Sequence, residues 1–190
     1  MELNENKSIG KKSTRLAILS TMGELHTTPL EYDLHKLKSI VSELSPDLLC
    51  AEITLEQWEE NNLSTASIEV REALLPAAIS SEIVVVPVAS FPSQFSDFKA
   101  SIGWRKELSE YLDQILEWGI LRANTPEAIN GFLFDTFCHT VCGLNIMTWS
   151  VEDRSRWEEQ NETIVKKIIR AVERDAGRRV LVVIQCQRSH

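Results

Sequence analysis

Apolar residues in this chain fall into two kinds of pattern, short unbroken runs and longer stretches spaced three or four apart. Leu16–Leu19 is the first run and reads as a strand. Leu30, Leu34, Leu37, Val41 and Leu44 follow at intervals of 4, 3, 4 and 3, one apolar stripe along a helix. Ser45-Pro46-Asp47 stops that helix, and Leu48–Ile53 is the second run. The mixed segment Ser64–Ser80 predicts a further helix. It leads to Glu82–Val88, the most β-branched stretch and a third strand. Phe91–Ser101, rich in Ser, Pro and Phe, reads as a loop. From Trp104 to Trp149 the spacing is helical, with Leu108, Tyr111, Leu112, Ile115 and Leu116 sharing one face of the first helix. Thr125-Pro126-Glu127 is a helix start, with Thr as N-cap and Pro at the first position. Trp157, Ile164, Val165, Ile168, Ile169 and Val172 mark a last helix that stops near Gly177, and Arg179–Gln185 is the fourth strand.

Strands separated by helices read as βαβαβ, because parallel neighbours need a crossover that a helix supplies. The expected fold class is therefore α/β: a mostly parallel central sheet of at least four strands flanked by helices, with a helical insertion at about 94–150 before the last strand. Residues 1–14 are polar and aperiodic and read as a flexible lead-in to a single domain over 15–190. The 190 residues, 43% hydrophobic and 25% charged, have globular composition, which excludes wholesale disorder.

Charge narrows the function classes. Twenty Lys+Arg against 28 Asp+Glu give a formal net charge of −8, which argues against a nucleic-acid binder needing a basic face. A small anionic substrate held by a few local arginines is compatible with that charge. Four cysteines in a chain of this length do not form a disulfide scaffold, and Cys50 and Cys186 sit in apolar runs as reduced thiols. Cys138-His139-Cys142 reads as two core thiols on a helix, with the histidine pointing about 100° away. No secretory signal or membrane span is expected, since the longest apolar stretch is broken by Asp135, His139 and Asn145. The expected compartment is the cytoplasm. Oligomeric state is not legible in the sequence.

Sites in open parallel sheets gather beyond the carboxyl ends of the strands. The first strand is followed by Gly23-Glu24-Leu25-His26, the second by Glu52 and the fourth by Gln185-Cys186-Gln187-Arg188-Ser189-His190. Two histidines and two carboxylates there are a donor set for a divalent ion. The same groups can act without metal, one His or Glu serving as general base on water. Structural readings stand beside these: Glu24 as a solvated loop residue, Glu52 as a helix cap or the partner of an arginine, and His26 making a local turn bond.

Gly23 and His26 after a first strand, Glu52 ending a second strand introduced by Pro46-Asp47, and arginines on the helix before a last strand that runs to His190 form an ordered set. That set resembles the Tiki/TraB/ChaN-like superfamily, related to erythromycin esterase, over roughly residues 15–190. The family pattern has two Gly-x-x-His motifs. Gly23 and His26 match the first, and His190 matches the histidine of the second, where Gln187 stands in place of the glycine. Arg154 and Arg156 both fit the position of the family arginine. The departure at Gln187 and the end at His190 imply a shortened or degenerate member. The family's activities include metal-dependent proteolysis, ester hydrolysis and haem-iron binding.

The expected function is a hydrolase, metal-assisted, acting on an ester or amide of a small molecule or peptide. Its divalent ion, of unknown identity, would be held by His26, Glu52 and His190. Glu52 and Glu24 would serve catalysis, Arg154 or Arg156 would stabilise developing negative charge, and Gly23 would shape the loop. The alternative is a degenerate, non-catalytic protein that binds a small molecule, haem or metal.

Overall fold

The computed structural model describes residues 13–91, 95–98 and 102–188. Four strands, β1 (Arg15–Thr21), β2 (Leu48–Ala51), β3 (Val84–Pro87) and β4 (Arg179–Gln185), form one sheet in the order β1-β4-β2-β3. Every pairing is parallel, with Leu16 opposite Val180, Leu48 opposite Val180, and Leu48 opposite Val84. The chain is thus of the α/β class expected from the alternation of runs and stripes. The expected lead-in lies almost wholly outside the described residues.

β4 runs between β1 and β2, and its residues alternate between two cores. Leu181 and Val183 join Leu19, Leu49 and Ala51 in the larger core. Val180, Val182 and Ile184 join Leu48 and Cys50 in the smaller one. Burial on both faces explains why this strand is an unbroken apolar run. The β-branched run of β3 is only partly buried because β3 lies at the sheet edge.

The larger core is covered by α1 (Leu34–Leu44), α3 (Leu75–Ser80), α4 (Gly103–Ala123) and α6 (Phe132–Thr148). α1 begins where the Asp33 side chain accepts the Lys36 N–H at 2.7 Å, and it ends at Ser45 in a left-handed conformation. Leu37 and Val41 carry its buried stripe, while Leu30 lies before the helix. A short helix, α2 (Leu55–Glu59), which the apolar spacing does not reveal, is held by a capping box between Thr54 and Gln57. α5 (Pro126–Ile129) has the expected Thr125 N-cap and Pro126 start.

Of the expected face of α4, Leu112 and Leu116 are buried and Ile115 packs against the core, while Leu108 and Tyr111 are exposed. Ser109, Gly119 and Ile120 also face inward. At Gly119 a Cβ would lie 2.2 Å from Phe137 Cε1, so only glycine permits this approach of α6. α7 (Val151–Arg174), capped by Ser150, covers the smaller core with Ile164 and Ala171. Cys138 and Cys142 are buried in the larger core and His139 is exposed. Among the described residues, no helix is long and apolar enough to cross a membrane.

Candidate functional site

The carboxyl ends of β1, β2 and β4 bring together Thr21, Glu52 and Gln185, and the chain beyond β4 adds Arg188. Glu52 directly follows four fully buried residues, so its carboxylate needs a partner. Arg188 supplies it, with Nε 2.5 Å from Glu52 Oε1 and a side chain only 3% exposed. Nη1 donates to Asn161 Oδ1 at 2.5 Å, Nη2 lies 3.4 Å from Gln160 Oε1, and the guanidinium stacks 3.8 Å over the Trp157 ring. Trp157 itself packs edge-on against Phe95, Phe98 and Trp149. α7 and the aromatic cluster thus fix the arginine from several directions. Burial pushes Glu52 above the usual carboxylate range, and the adjacent Arg188 charge opposes that shift.

A second carboxylate lies in the same neighbourhood. Glu69 is buried, and Thr21 Oγ1 donates to its Oε1 at 3.0 Å. Its other oxygen, Oε2, is buried without a hydrogen-bond partner. Burial raises Glu69 above the ordinary carboxylate value, while hydrogen bonding from its own backbone N–H and from the Thr21, Ser67 and Gln185 side chains pulls it back toward the charged form. Glu69 immediately precedes a π-helical turn, Val70–Leu74, the type of irregularity that often marks functional positions.

The β1 loop is built differently from the expectation. Gly23, at φ +60°, starts a 3-10 turn over Gly23–Thr27, a conformation that favours glycine. The turn carries His26 inward. Nε2 accepts the Met22 N–H at 3.1 Å, which leaves Nδ1 to donate to the Tyr32 carbonyl at 2.8 Å. The imidazole also sits edge-on to the Tyr32 ring, 4.8 Å between centroids. Burial lowers its pKa below the ordinary 6.5. In this arrangement neither ring nitrogen has a lone pair free for a metal.

Glu24 is exposed on the turn. Arg154 donates to the Met147 carbonyl at 3.3 Å and Arg156 faces Asp153 at 3.7 Å, so the partners of both lie at the α6–α7 junction. His190 lies outside the described residues. The expected donor set is therefore not assembled by His26 and Glu52: one has both nitrogens engaged and the other is neutralised by a guanidinium. Among the described residues no group of three or more His, Cys, Asp or Glu side chains is placed to hold an ion. These residues do not fit the shared divalent metal that the resemblance implies.

A cleft of about 380 Å³ opens beside β1 and β4, at the lower end of the size range for small-molecule sites. Gly23, Glu24, Gln185, Gln187, Asp113 and Glu117 line its polar wall, and Leu116 and Ile120 its apolar side. Gln185 belongs both to this wall and to the surroundings of Glu69. Arg188 and Glu69 were not among the residues expected to form the site. Arg188 stands three residues past the last strand, within the reach a carboxylate after β2 demands. Glu69 lies between Ala66, Val70 and Ala73 on the buried side of its helix, and a carboxylate in that register is the legible signal. Comparison with family models, with curated proteins and with solved structures finds no match.

Proposed function

We propose that the strand-end site hydrolyses an ester or amide of a small molecule, with Glu69 as the proton-transfer group and no metal step. The observation that carries this reading is the buried carboxylate of Glu69, with one oxygen anchored by Thr21 and the other bare. A carboxyl whose affinity for protons is raised by burial suits general acid–base work. The ionised carboxylate takes a proton from water as the water oxygen attacks the carbonyl carbon. The C–O or C–N bond then breaks, and the proton passes from Glu69 to the leaving alcohol or amine. One water is consumed and Glu69 returns to its starting state. Substrate occupies the cleft, whose wall residue Gln185 also neighbours Glu69. Glu52 pairs with Arg188 and accepts the Gln185 N–H at 3.4 Å, which ties it to the end of β4.

The engagement of both His26 nitrogens and the pairing of Glu52 favour a second reading, a binding protein without turnover. A panel of p-nitrophenyl esters and anilides of differing acyl size separates the two. The hydrolase reading expects turnover in the parent, an activity rise with pH whose midpoint lies above the usual carboxylate range, and a loss of roughly 10²-fold or more in Glu69→Gln. Unchanged rates in Glu69→Gln contradict it. Saturable binding of cleft ligands with no turnover of any panel member supports the second reading.

A further inference from the structure

β1 is an edge strand whose outer side is only half closed. Ser20 marks the closed half: its N–H donates to Asn130 Oδ1 at 2.7 Å and its carbonyl accepts the Tyr32 hydroxyl at 3.0 Å. Backbone groups alternate in direction along a strand, so those of Leu16 and Ile18 point the same way as those of Ser20. Among the described residues none bonds to them. The side chains of Leu16 and Ile18 are half exposed, as are Val165 and Ile169 of α7. These four line the open side of a largely apolar groove of about 340 Å³, which Asn161 and Arg188 also border. The strand has no proline and a single charge, at Arg15, so it lacks the usual protection of an open edge.

The charge along α7 indicates what fits there. Residues 151–162 carry five acids and two arginines, a net of −3, whereas residues 163–174 carry four bases and one acid, a net of +3. A surface with this polarity is complementary to itself when two copies run antiparallel, as a two-fold axis requires.

We propose that this face binds a second copy of the chain. β1 pairs antiparallel with the partner's β1 about a two-fold axis through Ala17, which sets Leu16 opposite the partner subunit's Ile18 and extends the sheet across the dimer. Because the axis is perpendicular to the sheet, both α7 helices lie on one side. The acidic half of each faces the basic half of the other, and Val165 and Ile169 close the groove from above. The groove meets the strand-end cluster at Asn161 and Arg188, but the four apolar residues that would carry the contact lie outside that cluster.

Sedimentation velocity on the full chain, over micromolar to sub-millimolar concentrations, tests it. The expected result is a species of about twice the 21.6 kDa chain mass that dissociates on dilution, and dissociates more readily at high salt. Ile18→Pro removes an outward N–H that the folded chain does not use, and Val165→Lys places a charge on an exposed helix position. Both variants should sediment as single chains while keeping the parent's circular dichroism. If one fails to fold, the other decides. A parent that stays at the single-chain mass at every concentration overturns the proposal. So does a folded variant that keeps the dimer.

Discussion

The ends of β2 and β1 hold buried carboxylates in opposite conditions. Glu52, past β2, meets a guanidinium that is itself bound by Asn161 and stacked on Trp157. Glu69, against Thr21 at the end of β1, has one oxygen held and one bare. A saturated buried charge is a fixture, because removing either partner exposes the other to the full cost of burial. An unsaturated one is a reservoir of unspent interaction, which a water or a substrate atom can use. The histidine expected to act belongs with the first kind, since its two nitrogens close a turn.

The sharpest way to break the contrast is to remove the fixture. Arg188→Met leaves Glu52 buried without a counter-charge, a change that costs about 3–5 kcal/mol. At roughly 2–4 °C per kcal/mol for a chain of this size, the melting temperature should fall by roughly 6–20 °C. Thermal denaturation followed by circular dichroism measures it, and a fall of less than about 3 °C, or roughly 1 kcal/mol, would move Glu52–Arg188 out of the structural class.

The next effect concerns His26. His26→Ala strips partners from the Met22 N–H and the Tyr32 carbonyl, at about 1–3 kcal/mol for each group left bare. Because burial lowers the folded pKa below the ordinary 6.5, the unfolded chain binds the proton more readily. The stability His26 contributes is therefore complete above about pH 6.5 and is lost as pH falls through the folded value. Urea titrations across pH 5–8 should show that slope in the parent and a shallower one in His26→Ala. An unchanged slope in the variant would place the titration elsewhere.

At the small end are the surface positions. Glu24→Gln and Arg156→Ala remove exposed charges, the second breaking a 3.7 Å contact with Asp153. Each should leave stability within about 0.5 kcal/mol of the parent in the same urea titrations. A larger loss in either would mean that the outer loop shares in the fixture.

These contrasts explain what could be read from the sequence. The fourth strand, Arg179–Gln185, was legible to the residue, because its central Val180–Ile184 is a solid apolar run buried on both faces. So was the Thr125-Pro126 helix start, a local signal that needs no tertiary contact. α2 was not, since Leu55–Glu59 is held by a capping box and has no apolar stripe. The inward face of α4 was legible in Leu112, Ile115 and Leu116, but not its extension to Gly119, where Phe137 of a distant helix packs closely. In the site, Glu52 was legible as a carboxylate in need of a partner. Its partner was not, because Arg154, Arg156 and Arg188 look alike until the fold sets Arg188 over Trp157. His26 was visible as a loop histidine, but its inward orientation follows from the left-handed Gly23 and the distant Tyr32 carbonyl.

The proposed hydrolysis requires Glu69 to be a carboxyl held ready for proton transfer. Carbon-13 NMR titration of the side-chain carboxyls, with the Glu69 resonance assigned by its disappearance in Glu69→Gln, reads this directly. The prediction is a midpoint clearly above the ordinary value of 4.5, with the Glu69→Gln variant gaining stability relative to the parent as pH rises through that midpoint. A Glu69 midpoint at or below 4.5 would show a carboxylate already satisfied in the fold, and would contradict the account.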